Sequence, residues 1–288
     1  SSLLVLSKFL YLASATLTIG HLLLLIFFVR NTAGSIRDEY LFLRNRIARF
    51  AWVWLFSTIL FILATLASIL DLPITSAFDL TMLRSFLTQI SLGKSLALQT
   101  IGALAVALSI SRVRKVSHGA LILVLSIFSI SIPVFQSHSA AGGSHLIAIG
   151  TLLIHVIGIT LWVGGLSALV LNRKINLPSV ISRYSQMALW AALSVVISGA
   201  INAWIRLHIS DAWRSTYGLL VIEKIVLTLV ILVLASYARK NLATDLTKLL
   251  RFEVAAMTVT LFLGSVLSKT LPPPSARNID KYESLVGL

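Results

Sequence analysis

Residues 138–166 read HSAAGGSHLIAIGTLLIHVIGITLWVGGL. A glycine-rich turn holding His138 and His145 opens onto an apolar run that continues to Leu171 with no charged side chain and one imidazole, His155. From Leu146 to Leu171 a helix rises about 39 Å, enough to cross a hydrocarbon core of about 30 Å. The run is far too long for a barrel strand, which needs only about 10 alternating residues. An imidazole in the middle of such a helix is costly, so it faces other protein or a cavity and is a functional candidate.

The rest of the chain repeats the pattern. Its 288 residues are 57% hydrophobic and only 12% charged, with a mean hydropathy of +0.94. Those values exclude an ordinary soluble domain. Segments at about 5–29, 48–70, 92–111, 118–136, 146–171, 184–205, 217–238 and 252–270 are long and apolar enough to span. The expectation is an all-α, polytopic membrane bundle of eight transmembrane helices, with the lipid bilayer as its first partner. The opening run lacks a small-residue cleavage pattern and reads as a true span rather than a signal peptide. The net charge of +14 comes from short basic clusters between apolar runs, which is a membrane-loop pattern and not a nucleic-acid footprint. There is no cysteine, which removes disulfides and thiolate metal sites.

Connections after spans one, three, five and seven carry 15 Lys and Arg, against 8 on the other side with both termini. The richer side is expected in the cytoplasm, which puts both termini and the HSAAGGSH turn outside. Within the long connection at 71–91, Leu80, Leu83, Leu87 and Ile90 share a helical stripe, consistent with a short interfacial helix or an ordinary structured loop.

The halves resemble each other. Gly93, Ser111, Arg114 and Lys115 recur as Gly218, Ser236, Arg239 and Lys240 at a common offset, and at another offset His21 meets His155. The pattern suggests a 4+4 parallel repeat, with a first four-helix unit at 1–136, a second at 137–274 and an outer tail or linker at 275–288. His21 stands nine residues before Arg30 and His155 ten after His145, about 14–15 Å from opposite edges. Both imidazoles are therefore expected near the midplane, one from each half, converging on a common chamber.

Candidate metal ligands are His21 and His155 inside and His138, His145 and His208 outside. Imidazole suits copper, zinc, iron and nickel. Lys224 lies about 10 Å inside span seven, free to snorkel or to pair with Glu253, Asp71 or a substrate anion, while Glu223 points elsewhere on the helix. Trp162 and Asn202 complete the set of candidates. Gly164, Gly165 and Gly199 read as helix-packing residues. No motif for nucleophilic, phosphoryl-transfer or zinc-peptidase chemistry is present, so the chain does not read as an enzyme.

The pieces HVIGITLWVGGLSAL, RYSQMALW, SGAINAW, STYGLLVIEK and SKTLPPP together resemble the copper resistance protein D (CopD) family across about 138–274. The first half resembles the family's longer members loosely. The tail YESLVGL resembles the junction at which such modules are fused to a cytochrome c oxidase assembly domain of the CtaG kind. The resemblance implies copper handling at a bacterial cytoplasmic membrane, with import from outside, delivery to respiratory cuproenzymes and a copper chaperone as an external partner. It touches His155, Trp162, Gly164, Gly165, Arg183, Gly199, Trp204, Tyr217, Gly218 and Lys224. The leading expectation is a copper ion passed from the outer histidines to a His155–His21 relay. The alternatives are a haem b carrier with those two imidazoles as axial ligands, and a non-transporting scaffold for oxidase assembly.

Overall fold

The structure, a computed structural model, describes residues 2–29, 34–136, 145–175, 178–207, 213–240 and 246–270. Its helices are α1 (Ser2–Leu23), α2 (Phe42–Leu70), α3 (Leu80–Gln89), α4 (Ser91–Ser109), α5 (Val116–Ser131), α6 (His145–Leu171), α7 (Pro178–Arg206), α8 (Thr216–Lys240) and α9 (Leu246–Leu267). All except α3 are long and apolar enough to cross a membrane, so the eight-span, all-α expectation holds. The chain is a multi-pass membrane protein. Among the described residues there is no strand, only an isolated bridge between Ser35 and Lys115.

Many serine and threonine hydroxyls inside the spans fold back on their own helix, where a carbonyl one turn back is the nearest acceptor. Ser14 donates to Leu10 O at 2.7 Å, Thr18 to Ser14 O at 2.8 Å and Thr58 to Trp54 O at 2.8 Å. α1 continues as a π-helical turn over Leu24–Phe28, closed by Val29 N on Leu24 O at 3.1 Å. Such turns are rare and cluster at functional sites. α2 begins earlier than the apolar run, so Arg44, Arg46 and Arg49 ride on helix rather than on loop. It ends at Asp71, whose φ of 53° is left-handed. The 80–90 stripe is a helix. Asp79 caps it by accepting from Thr81 N at 2.8 Å and Met82 N at 3.0 Å.

Contacts divide the chain into a unit of residues 1–196 and a unit of residues 197–288. In the first, α1 is the hub, packed along α2, α5 and α6, with α4 between α2 and α5. α1 and α2 run antiparallel, and three contacts set their register. Tyr11 and Phe61 rings lie 5.1 Å apart, Ser14 and Ser57 hydroxyls 3.3 Å, and His21 and Phe50 rings 4.9 Å. α1 crosses α6 at two glycines, where a Cβ on Gly20 would stand 2.6 Å from Gly164 Cα and overlap its carbonyl. Three arginines fasten one end of this unit. Arg44 donates to Val113 O at 3.0 Å, Arg183 to Phe27 O at 3.1 Å, and Arg46 to Leu171 O at 2.8 Å and Asn172 Oδ1 at 2.7 Å. In the second unit α8 and α9 form a packed pair.

Candidate functional site

His21 is fully buried at the α1–α2 contact. Its Nδ1 lies 2.8 Å from Leu17 O, one turn back on its own helix. A carbonyl can only accept, so Nδ1 carries the proton and Nε2 keeps its lone pair. That Nε2 is buried without a hydrogen-bond partner among the described residues. A ring nitrogen tied to a backbone carbonyl, with the other left basic and aimed into the protein, is the arrangement found in metal-ligating histidines. The neighbouring Thr18 hydroxyl does not satisfy the ring, because it donates to Ser14 O.

His155 is placed differently. Its Nδ1 is 3.1 Å from Val195 O on α7, so the ring turns to α7 while His21 turns to α2. The two are also at different depths. His21 follows Gly20, which touches Gly164, and His155 precedes Gly164 by nine residues. By helical rise this puts about 13 Å between them along the bundle. The expected common chamber is therefore corrected. A bis-imidazole haem b between His21 and His155 falls with it, since one iron needs both rings at a single point. The physical reason is helix length. Ser2–Phe28 and His145–Leu171 each rise about 40 Å. Counting 14–15 Å inward from opposite ends of such helices stops short of the centre on each side.

Other candidates scatter. His138 and His208 lie outside the described residues, as does the side chain of His145. Among the described residues no three His, Asp or Glu side chains gather as a metal cluster. Trp162 is buried, and its carbonyl accepts from Tyr184 Oη at 3.2 Å. Gly165 makes room for the Tyr184 ring, and Gly164 for α1, so the packing reading holds at both. Asn202 and Lys224 are half-buried and Glu223 is exposed. Lys224 Nζ sits against Gly264, 3.6 Å from where a Cβ would be. Glu253 is eleven residues further from that point on α9, about 16 Å along the helix, which removes the expected Lys224–Glu253 pair. The tail with YESLVGL lies outside the described residues.

Three side chains went unnoticed in the sequence. Phe50 covers the His21 ring. Trp54 and Gln99 are fully buried, and the indole nitrogen and both amide atoms have no hydrogen-bond partner among the described residues. An amide in the middle of the apolar run SLALQTIGALAVAL was the available signal.

Comparison with known families matches residues 178–267 to "Copper resistance protein D" and residues 1–146 to "Copper resistance protein D-like, N-terminal domain". No curated protein and no solved structure matches the chain. The match over residues 1–146 extends the resemblance over the helices that carry His21, Trp54 and Gln99, a stretch the tail-half motifs did not reach. With half of its length matched by the N-terminal domain and its later helices by the second description, this membrane protein belongs to the copper resistance protein D family.

Proposed function

We propose that the protein passes copper through the bacterial cytoplasmic membrane by permeation, inward, as a supply for respiratory cuproenzymes. His21 is the residue that handles the ion. The observation that carries this reading is the fixed tautomer of His21, with Nδ1 on Leu17 O and a buried basic Nε2. Membership of a copper resistance family supports copper as the ion, and imidazole nitrogen suits it. Permeation needs sites weak enough to release the ion, and a lone nitrogen donor satisfies that better than a closed cage. The basic clusters support an orientation with both termini outside, which turns His138, His145 and His208 toward the source of the ion. No catalytic chemistry enters, and the fused or separate CtaG-type assembly domain and an external chaperone are the partners this route would serve.

The test is copper accumulation in cells expressing wild type or His21→Ala at equal membrane levels. Lower uptake by the variant is expected. Wild-type uptake removes His21 from the route, and if oxidase maturation is also unchanged the scaffold reading takes its place.

A further inference from the structure

Besides the Thr16 hydroxyl, the buried groups without partners among the described residues of the first unit belong to His21, Trp54 and Gln99, and these three are ordered in depth. Ser14 with Ser57 and His21 with Phe50 align antiparallel α1 and α2, so Phe50 marks the level of His21. Gln99 can be placed on the same scale by two routes. Directly, Arg44 on Val113 O, in the turn just past the end of α4, ties α2 to that end of α4 and sets Gln99 about level with Thr58. By way of α5, Ser129 over Gly102 and Ile26 over Gly119 set Gln99 against the α1 level of residue 13, which again faces Thr58. Phe50, Trp54 and Thr58 are four residues apart and form one ridge of α2. His21, Trp54 and Gln99, whose ring nitrogen, indole nitrogen and amide lack partners among the described residues, therefore stand at successive depths about 6 Å apart along the bundle.

Leaving such atoms dry in a membrane interior is expensive, since hydrocarbon offers no hydrogen bond in place of the one lost from water. Gln99 offers both a donor and an acceptor, Trp54 a donor and His21 an acceptor, which is a complementary set for water and for a partly hydrated cation. No carboxylate lies along the ridge: the acidic residues of this unit, Asp38, Glu39, Asp71 and Asp79, are all exposed. We infer that Gln99, Trp54 and His21 are successive stations of one polar path along α2, and that parting of the α2–α4 seam admits water and the ion to it. This rests on the copper-permeation reading and adds the route by which the ion meets His21.

The cysteine-free chain allows a direct test. Single variants Gln99→Cys and Leu166→Cys, the latter fully buried on α6, are labelled in membranes with a small hydrophilic thiol reagent. Gln99→Cys should react at least about tenfold faster, as expected of a seam that opens locally. Gln99→Leu, similar in size and without the orphaned amide, should remain folded and take up copper markedly more slowly than wild type. Labelling no faster than at Leu166→Cys, or wild-type uptake by Gln99→Leu, overturns the path. The permeation reading itself falls only with wild-type uptake by His21→Ala together with unchanged oxidase maturation, so the two failures are distinguishable.

Discussion

Replacing Gly20 by alanine tests the crossing on which the depths of both histidines depend. The added Cβ would stand 2.6 Å from Gly164 Cα and overlap the Gly164 carbonyl, both of them backbone. Carbon contacts settle at about 3.5–4.0 Å, so α1 and α6 must part by about 1 Å. A gap of that size forfeits about a quarter to a half of each dispersion contact along the seam. Overpacking of this kind costs about 1–3 kcal/mol, and alanine's better helix propensity offsets about 1 kcal/mol at most. With the full offset the net loss is about 0–2 kcal/mol, a Tm lower by up to roughly 8 °C. Gly150→Ala on α6 is the control, because nothing lies within 4 Å of its added Cβ, and it should melt at or slightly above wild type. The assay is thermal unfolding of the purified protein in detergent, followed by circular dichroism. If Gly20→Ala melts as high as Gly150→Ala, the glycine crossing is absent and the 13 Å separation of His21 from His155 loses its basis.

Three further outcomes follow from the same geometry. His155→Ala removes a ring bonded to Val195 O and should cost about 0.6–1.7 kcal/mol in thermal unfolding while leaving copper accumulation near wild type; a loss of uptake equal to that of His21→Ala would contradict the placement of His155 toward α7. With no carboxylate near His21, a dication there bears about four times the charging cost of a monocation, so equilibrium binding to purified protein should favour Ag(I), a redox-stable stand-in for Cu(I), over Zn(II) by at least about tenfold. Equal retention of the two metals would sink that argument. Asp79→Ala strips two backbone donors of their cap and should weaken α3 by about 1 kcal/mol, read as faster amide exchange confined to 80–89; unchanged exchange would mean the cap contributes nothing.

The spans were readable because a membrane crossing is a composition over 20 residues, insensitive to any one of them. The leucine spacing at 80–90 left a short helix and a structured loop both open, and the structure gives the helix over Leu80–Gln89. Depth was not readable. It depends on where a helix begins relative to its neighbours, and α1 gains a π turn while α2 starts six residues before its apolar run. Neither feature leaves a mark in hydropathy. His21 stood out as an ionisable group in a span, but its tautomer comes from a carbonyl one turn back, which every helical histidine has available. Gln99 and Trp54 acquire meaning only from the register between α2 and α4, and that register is held by contacts such as Arg44 with Val113 O, 69 residues apart. The Lys224–Glu253 pairing failed on the same ground: two charges in adjacent helices meet only if the offset between those helices allows it.

The guanidinium groups of Arg44, Arg46 and Arg183 each close a peptide oxygen belonging to another segment, at Val113, Leu171 and Phe27. Basic residues flanking a span also bias which way it inserts. One set of side chains is thus read twice, first by the insertion machinery as bare charge and later by the folded chain as a planar fork. Lysine answers the first reading and not the second. A triple arginine-to-lysine exchange would keep the topological message intact and unfasten the helix ends, so that a correctly threaded protein emerges with loose seams. Sorting defects of insertion from defects of consolidation needs only that substitution.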